Sequence, residues 1–286
     1  MTVEHPRIHW LADPASLAPI ALLVFVYVRR FLRVRREDGP RGATPLHALA
    51  FTGAIVALLA ALASPIDALG EEYLFSAHML QHVLLGDIAP LLLLLSLSRV
   101  MMRPLTRRLM GIERALGSLA SPVTAIVIWL GTMYLWHIPA LYDAALEHPL
   151  VHVLEHFSFF AAGIALWWPL VQPIPMRRSL TGLQPLAYIA TAKGSLAALG
   201  LVLAWSSTAF YPFYESVPRI WNLTVQEDQN VAGVIMMVEQ SMTLVLVLVW
   251  VFTRMLTRSE EEELRRERLE EAQVPASNVD VISTGP

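Results

Sequence analysis

The stretch SAHMLQHVLLGDIAPLLLLL, from Ser76 to Leu95, has the length and composition of a membrane-spanning helix. A helix needs about 20 mostly apolar residues to cross about 30 Å of hydrocarbon, and Asp87 is the only Asp, Glu, Lys or Arg in this stretch. His78 and His82 lie four residues apart and therefore share one face of the helix. The stretch predicts a membrane fold with a polar site inside it.

The composition of the whole chain agrees with a membrane fold. Of its 286 residues, 55% are hydrophobic and 16% are charged, and the mean hydropathy is +0.52, which is unusual for a soluble domain. There are no cysteines, so a bound metal must use imidazole, thioether, carboxylate or backbone ligands. The net charge of -3 argues against a nucleic-acid partner. We expect a multi-pass protein whose surroundings are the lipid bilayer.

Seven stretches reach or approach the length of a membrane span, which predicts an all-α bundle of seven transmembrane helices. The weakest is the first, because its uncharged part is short and Arg29 and Arg30 must extend to the membrane surface. The stretches are Pro14 to Leu32, Pro45 to Ala63, Tyr73 to Leu97, Leu116 to Trp136, Pro149 to Val171, Pro185 to Trp205 and Gln229 to Phe252.

The basic residues give the bundle an orientation. All of the 21 Lys and Arg residues except Arg7, Arg219 and Lys193 lie at the ends of, or in the segments after, the first, third, fifth and seventh spans. Cytoplasmic loops are enriched in Lys and Arg. The N-terminus is therefore predicted outside and the C-terminus in the cytoplasm, in a bacterial cytoplasmic membrane.

This orientation divides the chain into four parts. Residues 1–13 form an outer N-terminal segment and residues 14–253 the transmembrane domain. Residues 254–273 are predicted to form a separate charged cytoplasmic helix, because Ser259 and Glu262 have capping-box spacing. The composition of residues 274–286 is typical of a disordered tail.

The histidines cluster at the predicted outer side. All nine except His47 fall in the outer half of the bundle, and His148, His152 and His156 recur every four residues along the fifth span. With His78 and His82 on the third span and His137 at the end of the fourth, three helices present imidazoles at a similar depth. Methionines at that depth, with their soft thioethers, suit copper; they are Met79, Met133, Met236 and Met237.

A second polar set lies deeper in the predicted bundle. Asp87, Lys193 and Glu239 fall near the middle of the third, sixth and seventh spans. Ionisable groups at mid-membrane are costly and usually pair, so Lys193 is expected to pair with Glu239 or with Asp87. Asp228, at the outer start of the seventh span, is either a metal ligand or a helix cap.

Four segments together resemble the CtaG-like family of cytochrome c oxidase assembly factors, the seven-span type associated with caa-type oxidases. They are SAHMLQHVLL, YLWHIPALYDAAL, HVLEHFSFFAAGIALWWPL and DQNVAGVIMM. The resemblance implies an integral membrane protein that supports oxidase maturation by helping copper reach outer-facing metal centres, and it matches the family's histidines to His78, His82, His137, His152 and His156. A cysteine-using, single-span copper chaperone that shares the family name does not fit this chain.

The leading hypothesis is therefore a protein without enzymatic activity that binds or relays copper, with oxidase subunits and copper chaperones as partners. The expected metal ligands are His78, His82, His137, His148, His152, His156 and Asp228. Two other hypotheses stay open. Haem ligation by the same histidines would indicate a membrane redox protein, and a path through Asp87, Lys193 and Glu239 would indicate an ion- or proton-coupled transporter.

Overall fold

The computed structural model of the chain describes Trp10 and residues 14–273, and the described residues form helices without a strand. The rest of the predicted outer N-terminal segment and the predicted tail, residues 274–286, lie outside the described residues. The helices are α1 Pro14–Glu37, α2 Pro45–Leu62, α3 Pro65–Glu72, α4 Phe75–Val83, α5 Ala89–Leu95, α6 Arg99–Leu116, α7 Pro122–Trp136, α8 Pro139–Glu147, α9 Pro149–Val171, α10 Gln184–Trp205, α11 Phe213–Ser216 and α12 Val225–Gln273.

Five helical segments among the described residues are long and apolar enough to cross a membrane, and a bent pair makes a sixth if its two helices count as one span. The single segments are Pro45–Glu72, Phe75–Leu95, Pro149–Val171, Gln184–Trp205 and Val225–Leu269, and the bent pair is Arg99–Leu119 with Pro122–Trp136. The predicted first span corresponds to α1, a helix of 24 residues outside these five or six. The all-α membrane fold is confirmed, and seven spans stay a prediction.

The predicted fourth span, Leu116 to Trp136, is interrupted. The chain bends by 79° between Arg99–Leu119 and Pro122–Trp136, because Gly117 ends α6 with a φ of 57° and the Ser121 side chain caps a new helix with Pro122 at its first turn. The helix that remains, α7, has 15 residues.

The charged C-terminal segment is helical, but it does not form a separate helix. It continues α12, a helix of 49 residues from Val225 to Gln273. Ser259 lies inside this helix, so the capping-box interpretation was wrong. Good helix formers fill the segment, and nothing in it breaks the helix that emerges from the preceding apolar run.

A π-helical turn, Leu84–Ile88, joins α4 to α5. Pro90 has no N–H to donate to the carbonyl of Gly86. The π-helical turn, whose hydrogen-bonded ring contains one residue more than that of an α-helix, lies just before this missing hydrogen bond. Gly163 of α9 packs directly against that carbonyl, since a Cβ atom at position 163 would lie 1.9 Å from the Gly86 oxygen. The turn therefore holds α9 close to the segment that includes Asp87.

The main hydrophobic core lies between α4, α7, α9, α10 and α12, around the buried side chains of Trp129, Phe159 and Trp167. Aromatic side chains of this size bury a large apolar area. They fill the space between the helices that present the predicted site residues, and so fix the distances between those residues.

Candidate metal centre

Four side chains on α4 and α9 form a cluster with the composition of a metal site. One possible ligand atom from each of His78, His152, Glu155 and His156 lies within 4.8 Å of the others. His78, His152 and Glu155 are buried, and His156 is half-buried. Residues three and four apart on a helix share a face, so α9 presents three of these ligands toward α4.

The imidazoles are arranged as two pairs on facing helices. The ring centres of His78 and His82 are 4.1 Å apart on α4, and those of His152 and His156 are 4.0 Å apart on α9. Between the helices, the Nε2 atoms of His78 and His152 are 3.2 Å apart. The sequence prediction that these two spans converge through their histidines is confirmed.

A chain of hydroxyl groups contacts His78. Tyr214 donates its O–H to the Gly70 carbonyl at 2.7 Å, because a carbonyl can only accept. The Tyr142 oxygen lies 3.2 Å from the Tyr214 oxygen and 2.5 Å from Nδ1 of His78. If Tyr142 donates to Tyr214, His78 is protonated on Nδ1 and its lone pair is on Nε2; if Tyr142 donates to Nδ1, the proton of His78 is on Nε2.

The tautomer of His152 is fixed by a carboxylate. Its Nδ1 lies 2.9 Å from an oxygen of Glu71, and an ionised carboxylate can only accept. The proton is therefore on Nδ1, and the lone pair of His152 is on Nε2. This histidine–carboxylate pair is the arrangement that commonly orients a metal-bound imidazole.

With His78 protonated on Nδ1, two lone pairs face each other across 3.2 Å, a contact that is repulsive unless a cation binds both nitrogens. With His78 protonated on Nε2, this nitrogen donates to His152 across the same distance. Two ligands in a tetrahedral site, each about 2.0–2.1 Å from the metal, are separated by about 3.3 Å. The spacing of the two Nε2 atoms fits a shared metal ion.

Other polar atoms beside this pair have no protein hydrogen-bond partner within the described chain. They are both ring nitrogens of His82, Nε2 of His156 and both carboxylate oxygens of Glu155. His82 Nε2 and Glu155 Oε1 are 3.6 Å apart, too far for a hydrogen bond. An unpaired buried polar group costs about 1–3 kcal/mol, and a metal bound at the cluster would offset that cost for Glu155 and His156.

A cavity of about 290 Å³ adjoins the cluster on the side of α3. Glu71, His152 and His156 contribute to its lining. The Glu71 side chain is 41% exposed, so the cavity reaches the surface of the protein. A small ion therefore has a route to the imidazoles of α9.

Three of the predicted histidine ligands are not among the four clustered residues. His148 is exposed, because it is the N-cap of α9 with extended backbone and does not share the helical face of His152. His137 is buried, and its Nδ1 lies 2.6 Å from the Met133 carbonyl; it lies apart from the four-residue set. His82 stacks beside the cluster, 5.8 Å from the His156 ring centre.

Asp228 is a helix cap, although not of its own helix. It lies inside α12 and accepts hydrogen bonds from the backbone N–H groups of Phe75 and Ser76, at 2.8 and 3.1 Å. These groups begin α4 and have no partner within it. Of the two predicted roles, the structure therefore shows the cap: both carboxylate oxygens hold α4 against α12, and Asp228 is not one of the four clustered residues.

The deeper charges pair as predicted, with both candidate partners. Lys193 contacts Asp87 and lies 3.2 Å from Glu239. Asp87 also accepts from the Trp167 indole at 2.8 Å, and Glu239 accepts from Thr243 at 2.7 Å. The three charged groups form a buried triad with hydrogen bonds to every member.

Sequence reasoning missed several members of the site. Glu155, Glu71, Tyr142 and Tyr214 were not among the predicted site residues. Tyr142 lies within a motif that matched the family, which was the one signal available. Glu71 lies at the end of a short helix that the hydropathy pattern does not reveal.

The fold and this site define a multi-pass helical membrane protein with a buried cluster of histidines and a carboxylate. The family model for the cytochrome c oxidase caa3 assembly factor (Caa3_CtaG) matches residues 25–258, and the chain belongs to this family.

The chain is also similar to uncharacterized mycobacterial proteins. It is 23% identical over 280 residues to one from Mycobacterium leprae and 23% identical over 276 residues to one from Mycobacterium bovis. Each match covers 91% of this chain and 41% of the relative, so the chain spans about two fifths of the length of these relatives. No solved structure matches it.

Proposed function

We propose that this protein is a cytochrome c oxidase assembly factor without enzymatic activity of its own, which holds copper at the His78, His152, Glu155 and His156 cluster during oxidase maturation. The observation that supports copper binding is the pair of facing Nε2 atoms of His78 and His152, 3.2 Å apart. Three imidazoles and a carboxylate suit a first-row transition metal, and copper(II) binds such sites most tightly among the divalent ions. Oxidase subunits and copper chaperones are the partners that the family membership supports.

The test is metal analysis of the purified full-length protein. We expect wild type to retain copper at neutral pH and the double variant His78→Ala with His152→Ala to lose it, because the pair of Nε2 ligands is gone. His148→Ala is the matched control, an exposed histidine at the start of the same helix. In cells, the double variant should lower oxidase activity, whereas the control should not.

Three results would contradict this proposal. Copper-free wild-type protein, or a double variant with normal copper content and normal oxidase activity, would remove it. A Soret absorption band in the purified protein would replace copper with haem. Ion uptake into vesicles that depends on Lys193 would favour a transporter, although the fully hydrogen-bonded triad supports a structural role for that lysine.

We also propose seven spans with the N-terminus outside and the C-terminus in the cytoplasm of a bacterial membrane. Hydrogen bonds at the end of α1 support α1 as a span. Tyr27 donates to the carbonyls of His47 and Ser96, at 3.0 and 3.2 Å, and Arg30 donates to those of Val100 and Met101. The end of α1 therefore lies level with the Arg-rich start of α6, on the side that the basic residues assign to the cytoplasm.

The topology can be tested by cysteine labelling, because the chain contains no natural cysteine. We expect Trp10→Cys to react with an impermeant reagent added to intact cells, and Arg41→Cys and Ser259→Cys to react only after the membrane is opened. Labelling of positions 10 and 41 from the same side would show that α1 does not cross the membrane.

A further inference from the structure

A second and smaller cavity lies on the inner side of the histidine cluster, and it has a different lining. Its volume is about 20 Å³, close to the minimum of about 10–15 Å³ needed for one water molecule. It therefore fits a single small occupant. Sulfur and imidazole groups dominate its polar lining: Met79, His82, Met133, His137 and Met236.

Several buried polar atoms on the lining residues have no protein partner in the described part of the chain. They include both ring nitrogens of His82 and Nε2 of His137. The Nδ1 atom of His137 donates to the Met133 carbonyl at 2.6 Å, because a carbonyl can only accept, so the lone pair of His137 is on Nε2. The cavity thus combines three thioether sulfurs with imidazole nitrogens that are available as ligands.

The charge next to this cavity favours a monovalent cation. Asp87 and Glu239 contribute to the lining, and both pair with the single ammonium group of Lys193. With both carboxylates ionised, the one lysine between them leaves one negative charge in excess. Buried charge is costly unless it is compensated, and one monovalent cation in the adjoining cavity would compensate it.

We propose that this inner cavity binds one copper(I) ion through the thioethers of Met79, Met133 and Met236 and the imidazoles of His82 and His137. Thioether ligands select soft cations, and copper(I) is the soft monovalent ion among the common biological metals. This site goes beyond the function proposed above, because it uses other residues, other donor atoms and a defined oxidation state of the metal. We propose no electron transfer between the two sites.

The two sites can be distinguished by the atoms around the metal. The outer cluster contains no sulfur, and the chain has no cysteine, so copper with sulfur neighbours must be bound to methionine. We would load the purified full-length protein with copper(I) under reducing, oxygen-free conditions and record X-ray absorption at the copper edge. We expect sulfur neighbours in wild type and about two copper ions per chain, one for each site.

The triple variant Met79→Leu, Met133→Leu and Met236→Leu should lose the sulfur neighbours and one equivalent of copper. Leucine is close to methionine in volume, so such changes are usually tolerated, and a melting temperature near that of wild type would confirm folding. Met242→Leu, at a methionine that is 62% exposed, is the matched control and should change nothing. If the triple variant does not fold, the three single variants each provide the same test through a smaller sulfur signal.

The outcomes separate this inference from the proposed function. Copper bound to wild type without sulfur neighbours, or a copper content that the leucine variants leave unchanged, would overturn the inner site. Loss of the inner copper alone in the leucine variants, with the outer copper retained, would support both sites. Sulfur-bound copper that persists in His78→Ala with His152→Ala, while no outer copper binds to wild type, would support the inner site and overturn the proposed function.

Discussion

The histidine cluster and the lysine triad are both buried and polar, and each includes a residue of the segment from α4 to α5. Their hydrogen bonding differs. Lys193, Asp87 and Glu239 bond to one another and to Trp167 and Thr243. In the cluster, by contrast, both carboxylate oxygens of Glu155 and Nε2 of His156 lack protein partners among the described residues. A satisfied polar group can be maintained by the fold alone, whereas unsatisfied ligand atoms indicate that something else binds there.

The largest loss of stability is expected from removing the central charge of the triad. Lys193→Ala leaves Asp87 and Glu239 buried together without a counter-charge, and loss of one partner from a buried ion pair costs about 3–5 kcal/mol. We expect that decrease in the free energy of unfolding, measured by chemical denaturation in detergent. A variant with Lys193→Met, Asp87→Asn and Glu239→Gln should regain most of the stability, and an unchanged value for Lys193→Ala would contradict the structural role of the triad.

The next largest effect is expected at the contact between Gly163 of α9 and the π-helical turn, which separates the two regions. Gly163→Ala would place a Cβ atom 1.9 Å from the Gly86 carbonyl oxygen, so α9 must move away from the π-helical turn. Overpacking of this kind costs about 1–3 kcal/mol or more. Because α9 holds three of the four clustered ligands, copper content should fall along with the free energy of unfolding.

Gly194→Ala is the control for that substitution. It adds the same methyl group to α10, where nothing among the described residues lies within 4 Å of the new Cβ atom, and alanine is the better helix former. We expect stability and copper content equal to wild type or better. Equal losses in the Gly163 and Gly194 variants would show that the close contact does not matter.

Local patterns in the sequence were sufficient to predict which helical faces are polar. The fifth predicted span, Pro149 to Val171, matches α9 at both ends, and the histidines four residues apart on α4 and α9 do meet. The pairing of Lys193 followed from the cost of a lone charge in a membrane. These predictions succeeded because helical periodicity and burial cost depend only on the nearby sequence.

The predictions that failed depended on contacts between distant segments or on single residues at helix ends. Asp228 caps a helix more than 150 residues away, and local sequence does not show which helix will receive a carboxylate. His148 has the correct spacing but lies just outside the helix, where the backbone no longer follows the helical period. The break before α7 depends on Gly117 and Pro122, which an average over an apolar window does not detect.

Removing the carboxyl group of Glu155 from the cluster should have the opposite effect to removing Lys193 from the triad. Glu155→Gln replaces a buried carboxylate that has no protein partner by a neutral side chain, whose amide can donate to His82. We expect the metal-free protein to gain about 1–3 kcal/mol, the cost of the unpaired group, while copper content falls. The same denaturation experiment on metal-free wild type and variant measures the gain, and a loss of stability would show that Glu155 already has an effective partner.

Substitution of Tyr142, which contacts His78, should have the smallest effect on stability among these variants. Its effect on metal binding should be larger. Tyr142→Phe removes the hydroxyl that is hydrogen-bonded to Nδ1 of His78 at 2.5 Å, so the imidazole is no longer held in its orientation toward the cluster. One hydrogen bond is worth about 1 kcal/mol of stability, whereas loss of a group that orients a metal ligand lowers affinity about 10–100-fold. Tyr134→Phe is the matched control, because Tyr134 donates to the Ser195 carbonyl at 2.7 Å, away from the cluster. Copper titration of both variants should therefore show weaker binding in Tyr142→Phe alone, and equal affinities would mean that the tyrosine supports packing and does not orient His78.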